Sequence, residues 1–442
     1  VLALVKGAPD VILGRCRGVL DPNGHSVPIA ESRAGAEQAM EEMSARGLRT
    51  LALAVRTIDD GAAADLTTSP EQWITDLDLV GIVGIVDPLR SEAIDAVAVA
   101  KRAGIDVRMI TGDHAITAGA IGAELGLGPG AISGADLAAM PQDELASNID
   151  NLHVFGRVTP QDKVRIVETL QARGDVVAMT GDAVNDAAAI KQADVGVAMG
   201  SGSEVTKQAA RLVLTDDNFA TLVHAVELGR VIYAKITAYI RFQMTQLLSL
   251  ILLFLAATAF EINSGVALLP GQILFLNFFV CLFPVIAILQ DAADPQIMNR
   301  PPRDPKLGVA NAVAFRQWLL YGFALFAVTL VPLVFGPDQP SPDSASISMT
   351  MSFVVMGLGT VVSGLLLRRD PGAGLAAPVA AVAKLLAIPA ALIVIVTELG
   401  FTQEWLGLTS LMGRQWLACL GLVIAFGLVV EIEKWIRRRR RA

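Results

Sequence analysis

The sequence predicts a chain in two parts: a parallel α/β fold through about Val231, then an all-α bundle of six apolar helices beyond Lys235. Three observations predict it. Short runs rich in β-branched residues alternate with helix-like stretches through the first part, as in a parallel sheet flanked by helices. Long apolar segments dominate the second part. The whole chain is 53% hydrophobic and only 18% charged, too apolar for a soluble protein of 442 residues.

Charge and cysteine narrow the function classes. Lys and Arg number 35 against 43 Asp and Glu, a net charge of −8, and the basic residues gather beside the apolar segments. That distribution argues against nucleic acid as a partner. Cys16, Cys281 and Cys419 match no metal-ligand spacing and fit a reducing compartment. The chain opens on Val1 without a basic leader region, so no signal peptide is expected, and the true amino terminus is expected to be missing.

Taken in order, Val1 to Arg56 holds two landmarks. Lys6-Gly7-Ala8-Pro9-Asp10 follows a strand-like run, and Gly47-Leu48-Arg49-Thr50 precedes strand-like Leu51 to Val55, with helical composition from Glu31 to Arg46 between them. Small residues beside Lys6 let an anionic nucleotide approach the backbone, although a solvated lysine at a turn is the commoner use of such a segment. Thr57 to Ser69 reads as a polar loop. Order resumes at Leu79 to Val86, a strand ending in Asp87-Pro88, where proline disfavours helix before Ser91 to Ala103. Strand Val107 to Ile110 then runs into Thr111-Gly112-Asp113 and helix Ala115 to Leu125. After an acidic loop, Val154-Phe155 leads to helix Gln161 to Arg173, with Lys163 in its first turn. Ser203 to Val231 reads as an amphipathic connector towards the bilayer.

The most informative stretch is Val176 to Asp186, VVAMTGDAVND, followed by helix Ala187 to Gln192 and strand Val195 to Met199. A strand ends at Thr180-Gly181-Asp182, and Asn185 and Asp186 follow where a helix begins. A turn with a capping aspartate is the commoner meaning of a lone Gly-Asp. Here the other strand ends add Thr111 and Asp113, and a neighbouring helix start adds Lys163. Carboxylates four apart at a strand end suit Mg²⁺, while a hydroxyl and an ammonium hold phosphate. Together they are the parts of phosphoryl transfer. No strand end offers a nucleophilic aspartate followed by a Lys-Thr-Gly-Thr-like loop.

Six apolar segments come after: Thr237 to Phe260, Leu268 to Leu289, Trp318 to Phe335, Ser348 to Leu367, Leu375 to Leu399 and Trp416 to Val430. Arg300, Arg303, Lys306, Arg316, Arg368, Arg369 and Arg437 to Arg441 fall on one side, so residues before 233 and the carboxyl-terminal tail are expected in the cytoplasm of a multi-pass cell-membrane protein. The lipid bilayer is thus one expected partner.

These residues resemble a P-type ATPase, most closely its calcium-pump branch. LVGIVGIVDPLR resembles the family's hinge, MITGD and MTGDAVNDAAAIKQADVGVAMGSG its phosphorylation-domain motifs, TDDNFATLVHAVELGRVIYAKITAYIRF its stalk, and MNRPPRDPK a loop between membrane helices. The resemblance implies a haloacid-dehalogenase-like, Rossmann-like core over 79–222, a partial nucleotide-binding domain over 1–78, and a stalk with six membrane helices over 223–442. It implies that Asp182 and Asp186 serve Mg²⁺, that Thr111, Gly112, Asp113, Lys163, Asn185 and Asp186 form the catalytic set, and that Lys6, Gly7 and Arg49 contact ATP. Ala183 stands where the family has Gly, which strains the turn if positive φ is needed there.

The membrane half departs further from the family. Positions that carry Asn, Glu, Asn, Thr and Asp in calcium pumps hold Leu247, Leu250, Asn277, Val280 and Cys281 here. Gln243, Gln246 and Ser249 are expected on a helix face towards Asn277 and Cys281, so Gln243, Gln246, Asn277 and Cys281 are the candidate transport path. ATP-driven transport of a cation leads; a membrane-tethered phosphatase or an inactive pseudo-pump are the alternatives.

Overall fold

The computed structural model describes residues 2–58, 74–85, 89–338, 345–369 and 378–441, excepting the side chains of 381, 440 and 441. Asp87-Pro88, most of the Thr57 to Ser69 loop and the start of the Leu375 to Leu399 segment lie outside them. The chain divides into two compact units, Val1–Val226 with Met298–Pro302, and Glu227–Ile297 with Arg303–Ala442.

The first unit begins with a mixed sheet. Strands β1 (Leu2–Gly7), β2 (Cys16–Leu20), β3 (Ser26–Pro28), β4 (Arg49–Thr57) and β5 (Leu77–Ile85) lie in the order β1-β4-β5-β2-β3. Helices α1 (Pro9–Leu13) and α2 (Ile29–Ala45) accompany it, and Ile12, Leu13, Ala52, Ala54, Leu77 and Leu79 form its core. β5 runs antiparallel to β4 and parallel to β2. It therefore belongs to this sheet over its whole length, on both sides of position 78/79. An apolar run such as LVGIVGI announces a central strand but not its neighbours.

The rest of this unit alternates as expected: α3 (Ser91–Arg102), β6 (Met109–Thr111), α4 (Ala115–Glu124), β7 (Ala131–Ser133), α5 (Gly134–Ala139), α6 (Gln142–Asn148), β8 (Val154–Gly156), α7 (Pro160–Ala172), β9 (Ala178–Gly181), α8 (Ala187–Gln192), β10 (Val195–Met199), α9 (Glu204–Ala209) and β11 (Leu212–Leu214). All pairings are parallel, but they make two three-stranded sheets, β6-β8-β7 and β11-β10-β9. The stretch read as an acidic loop contains β7, α5 and α6, and the stretch read as a connector contains α9 and β11. Both strands have three residues, too few for a periodicity to register.

α10 (Phe219–Ala259), which belongs to the second unit from Glu227 onward, is continuous for 41 residues. α11 (Pro270–Phe275) and α12 (Leu282–Gln290) are joined by a π-helical turn over Leu276–Val280, where the Cys281 amide donates to the Leu276 carbonyl at 2.8 Å. α13 (Ala312–Phe335), α14 (Ile347–Leu367), α15 (Ala380–Glu398), α16 (Gly400–Leu406) and α17 (Gly413–Arg441) complete it. Among the described residues five helices are long and apolar enough to span a bilayer, and six if a broken span bent by 89° at Leu399 is counted as one. α14 is the most enclosed, and its Phe353, Val354, Val355 and Leu367 lie in the bundle core. Its last carbonyls are met by cations: buried Lys434 donates to Leu366, and Arg241 to Leu367 at 3.4 Å.

Two glycines give opposite expectations. A Cβ on Gly156 of β8 would lie 2.6 Å from the Ala115 Cα and 2.9 Å from the Asp113 carbonyl oxygen, atoms fixed by the backbone, whereas nothing lies within 4 Å of one on Gly35 in α2. Gly156→Ala is expected to destabilise the first unit by about 1–3 kcal/mol, and Gly35→Ala to stabilise it by about 0.5–1 kcal/mol. Thermal midpoints of the two variants moving in the same direction would contradict this packing.

Candidate functional site

The strongest polar cluster forms where β9 ends. Thr159 caps α7 through a reciprocal pair: its hydroxyl accepts from the Asp162 amide at 3.3 Å, while Asp162 accepts from the Thr159 amide at 2.8 Å. This cap fixes the first turn of α7, which carries Lys163. The Lys163 Nζ donates to Asp186 Oδ1 at 2.5 Å, and Asp186 Oδ2 accepts from the amides of Asp182 and Ala183, each at 3.3 Å. Asp186 is buried, and both its oxygens are engaged. A Cβ on Gly181 would lie 2.6 Å from its carboxylate, so glycine is required at that strand end. Ala183 adopts φ −91° and ψ 156°, ordinary extended backbone, so its methyl group strains nothing.

Asp182 differs from Asp186. Its carboxylate is exposed, and among the described residues no hydrogen bond or ion pair reaches it. Its backbone is held by the Ser203 amide, which donates to its carbonyl at 2.8 Å. An open carboxylate beside an anchored ammonium fits Mg²⁺ shared with phosphate oxygens, since Mg²⁺ takes one or two carboxylates and keeps water or phosphate elsewhere. Asp186 holds Lys163 and the turn that carries Asp182. Asn185 is exposed next to it.

A second cluster forms at the ends of β6 and β8. The Thr111 hydroxyl accepts from the Asp113 amide at 3.1 Å and lies 3.2 Å from Asp113 Oδ2, closing a tight turn around Gly112. Asp113 Oδ1 lies 3.7 Å from Arg49 Nε. Arg157, with φ 52°, donates its amide to the Thr111 carbonyl at 2.9 Å and grips Asp10 with two nitrogens at 2.6 and 3.3 Å. The guanidinium holds the Asp10 carboxyl below its ordinary range. Asp10, Arg49, Gly112, Asp113, His114 and Arg157 line a cleft of about 180 Å³. Lys6 is exposed on β1 outside that lining, and Gly7 packs against Ile12. The Asp10–Arg157 pair escaped sequence reading; the one signal was an arginine directly after a strand.

Between the sheet edges β6 and β9 runs a largely apolar groove of about 410 Å³. Met109 and Ile110 lie along it, with Ala178 to Asp182, and Lys163 and Asp186. Among the described residues no hydrogen bond or ion pair joins the Thr111 turn to the Lys163–Asp186 pair.

The membrane candidates separate into three places. The Cys281 thiol lies 3.9 Å from Gln243 Oε1, and buried Gln246 contacts Thr360 of α14 at 2.8 Å. Asn277 is exposed and donates back to the Ile273 carbonyl at 3.0 Å, so the structure does not bring it to the other three. Leu247 is 47% exposed. Thr360 escaped sequence reading, because a threonine in an apolar helix carries no distinguishing pattern.

Comparison with known proteins follows the same division. Residues 1–92 match the family described as P-type ATPase, cytoplasmic domain N; residues 164–226 match haloacid dehalogenase-like hydrolase; residues 265–436 match cation transporting ATPase, C-terminus. Calcium-transporting ATPase lmo0841 of Listeria monocytogenes is 34% identical over 446 residues, 99% of this chain and 49% of its own length. Calcium-transporting ATPase 1 of Lactococcus lactis is 34% identical over 445 residues, covering 98% and 49%. The probable cation-transporting ATPase F of Mycobacterium tuberculosis is 40% identical over 336 residues, covering 74% and 36%. The chain spans about half the length of the curated relatives it matches. With a nucleotide-side domain, a hydrolase core and a membrane domain matched in that order, over parallel sheets and apolar helices that suit them, the chain belongs to the P-type cation-transporting ATPases.

Proposed function

We propose that the chain supplies the catalytic acids, phosphate-holding groups and half of the membrane path of an ATP-driven cation transporter. The observation that carries this is the Lys163–Asp186 pair at 2.5 Å beside the open Asp182 carboxylate. Lys163 is positioned to balance the charge of a transferred phosphoryl group, and Thr111 to donate a hydrogen bond to it. Asp182 would hold Mg²⁺, which when bound neutralises phosphate charge and aligns the transfer. Asp186 orients Lys163. Arg49 and Lys6 would contact the nucleotide, Arg49 from the cleft it shares with Asp113. The basic loops put the first unit and the carboxyl-terminal tail on the cytoplasmic side.

These 442 residues contain no Asp-Lys-Thr-Gly-Thr segment, so the phosphoryl acceptor comes from a polypeptide segment outside them. Two outcomes follow. The chain purified alone acquires no acid-stable, hydroxylamine-labile phosphate from labelled ATP; such an adduct would place the nucleophile among the present aspartates. In a longer polypeptide carrying that segment, Asp182→Asn lowers Mg²⁺-dependent phosphoenzyme formation by at least about 100-fold. A few-fold loss would remove Asp182 from the metal site.

The cargo departs from what the relatives' names say of them. Leu247 and Leu250 offer no oxygen, Cys281 contacts Gln243 through its thiol, and Asn277 is turned onto its own helix. Apolar side chains cannot replace the six to eight oxygens of a Ca²⁺ shell. In a metal-buffered panel, ATP hydrolysis by the longer polypeptide is expected to show no stimulation by micromolar Ca²⁺. Half-maximal stimulation in that range would overturn this assignment of cargo.

A further inference from the structure

The end of the bundle away from the basic loops holds an open cleft of about 640 Å³ between α13, α14 and α17. Its walls are apolar: Pro332 and Phe335 from the last turn of α13, Met351 from the start of α14, and Ala418, Gly421 and Leu422 from α17. Arg414 and Gln415, in the first turn of α17, supply its polar side chains. Arg414, Ala418, Gly421 and Leu422 are spaced i, i+4, i+7 and i+8, so they share one helix face. The cleft follows that face for about 12 Å, from the cation at its mouth towards the middle of the bundle. Gly421 keeps the furrow open, because a Cβ there would find nothing within 4 Å.

The mouth carries positive charge that the protein leaves unanswered. Arg414 is exposed, and among the described residues no hydrogen bond or ion pair reaches its guanidinium. The acids at this end of α13 and α15 are engaged elsewhere: Asp338 accepts from the Ile347 and Ser348 amides at 2.7 and 2.8 Å, and Glu398 from the Trp416 indole at 2.9 Å. α17 also begins here. Gln415 Oε1 accepts from the Met412 amide at 2.6 Å, and the Gln415 and Trp416 amides reach back to the Met412 carbonyl, but the Gly413 and Arg414 amides meet no acceptor among the described residues. Open first-turn amides of a 29-residue helix beside a free guanidinium favour an anion. Directly below them the furrow accepts only hydrocarbon. A phospholipid presents its phosphate and its acyl chains in that order of depth, whereas a spanning helix, about 10–12 Å across, would need an acid at the level of Arg414 to answer the same charge.

We infer that Arg414 and the first turn of α17 hold the phosphate of an anionic phospholipid, with one acyl chain lying in the furrow past Ala418 and Gly421 to Leu422. The lipid belongs to the leaflet at the end of the bundle opposite the basic loops, and it joins α13, α14 and α17 there. This site is independent of the nucleotide chemistry and of the cation path proposed above.

The test is lipid binding by the 442-residue chain purified in detergent, read by native mass spectrometry and by thermal midpoint. Dioleoyl-phosphatidylglycerol is titrated against dioleoyl-phosphatidylcholine at constant total lipid. A saturable rise in midpoint with a tightly retained phosphatidylglycerol is expected, and no saturable rise with phosphatidylcholine. Arg414→Gln should raise the half-saturating concentration at least tenfold, and Arg414→Lys should recover most of that loss. Gly421→Leu, which fills open space, should weaken retention at least tenfold while leaving the lipid-free midpoint nearly unchanged. Arg439→Gln, at the far end of α17, should leave binding as it is. If Gly421→Leu does not fold, the two substitutions of exposed Arg414 carry the comparison. Equal responses to the two lipids, binding unchanged in Arg414→Gln, or an equal loss in Arg439→Gln would each overturn the site. Saturation by glycerol 3-phosphate at the same concentration would reduce it to a free-anion site, and a dimer in light scattering that Gly421→Leu disperses would assign the furrow to a second copy of the chain; either result overturns the lipid assignment.

Discussion

The turn after β9 depends on one buried carboxylate. Asp186 joins three pieces of chain that are distant in sequence or free to diverge: the first turn of α7 through Lys163, the end of β9 through the Asp182 amide, and the following turn through the Ala183 amide. An ammonium and a carboxylate taken out of water are stable only when paired and hydrogen-bonded, so each fixes the other. The reach of Lys163 is set in turn by the Thr159–Asp162 cap, which determines where α7 starts. Asp182 is left with an open carboxylate because its neighbour four residues on carries the structural burden. Two acids in one short motif thereby sit in different environments, one buried and paired, the other exposed.

The membrane half obeys a different constraint. Hydroxyls there cannot rely on water, and most return to their own helix: Thr245 donates to the Arg241 carbonyl, Thr329 to Leu325, Thr350 to Ser346, Ser363 to Gly359 and Thr397 to Ile393, all at 2.7–2.9 Å. Such residues mark no pathway. Gln246 stands apart because a side-chain amide has more groups to satisfy than one helix turn offers. The π-helical turn over Leu276–Val280 is a second irregularity, placed just before Pro284, which cannot donate to the carbonyl of Val280.

Much of this was legible in the residues. The strand ending just before Asp182, the helix over Ala187–Gln192 just after Asp186 and the strand over Val195–Met199 follow from apolar runs bounded by Gly and Asp. What stayed hidden was partnership. The sequence of β5 does not say which sheet it joins, and three-residue strands such as β7 and β11 are too short for any period. The Asp10–Arg157 pair links residues 147 apart, a separation no local pattern encodes. Helix face was legible only in part: Gln243, Gln246 and Ser249 are spaced by three, but Asn277 turns to its own helix and Leu247 outward, which neither residue announces.

The two halves show how differently a fold can place charge. In the first unit charged side chains converge on strand ends, where solvent and paired partners offset their desolvation. In the second unit Thr237 to Leu289 carries only Arg241 and Glu261 as charged residues and α14 carries none, so most polar groups along these helices are dipoles. Dipoles can replace part of the hydration shell of a singly charged ion, yet they fall short for a divalent one, whose hydration free energy is several times larger. Which charges these helices can meet is therefore set by residue type at a few positions.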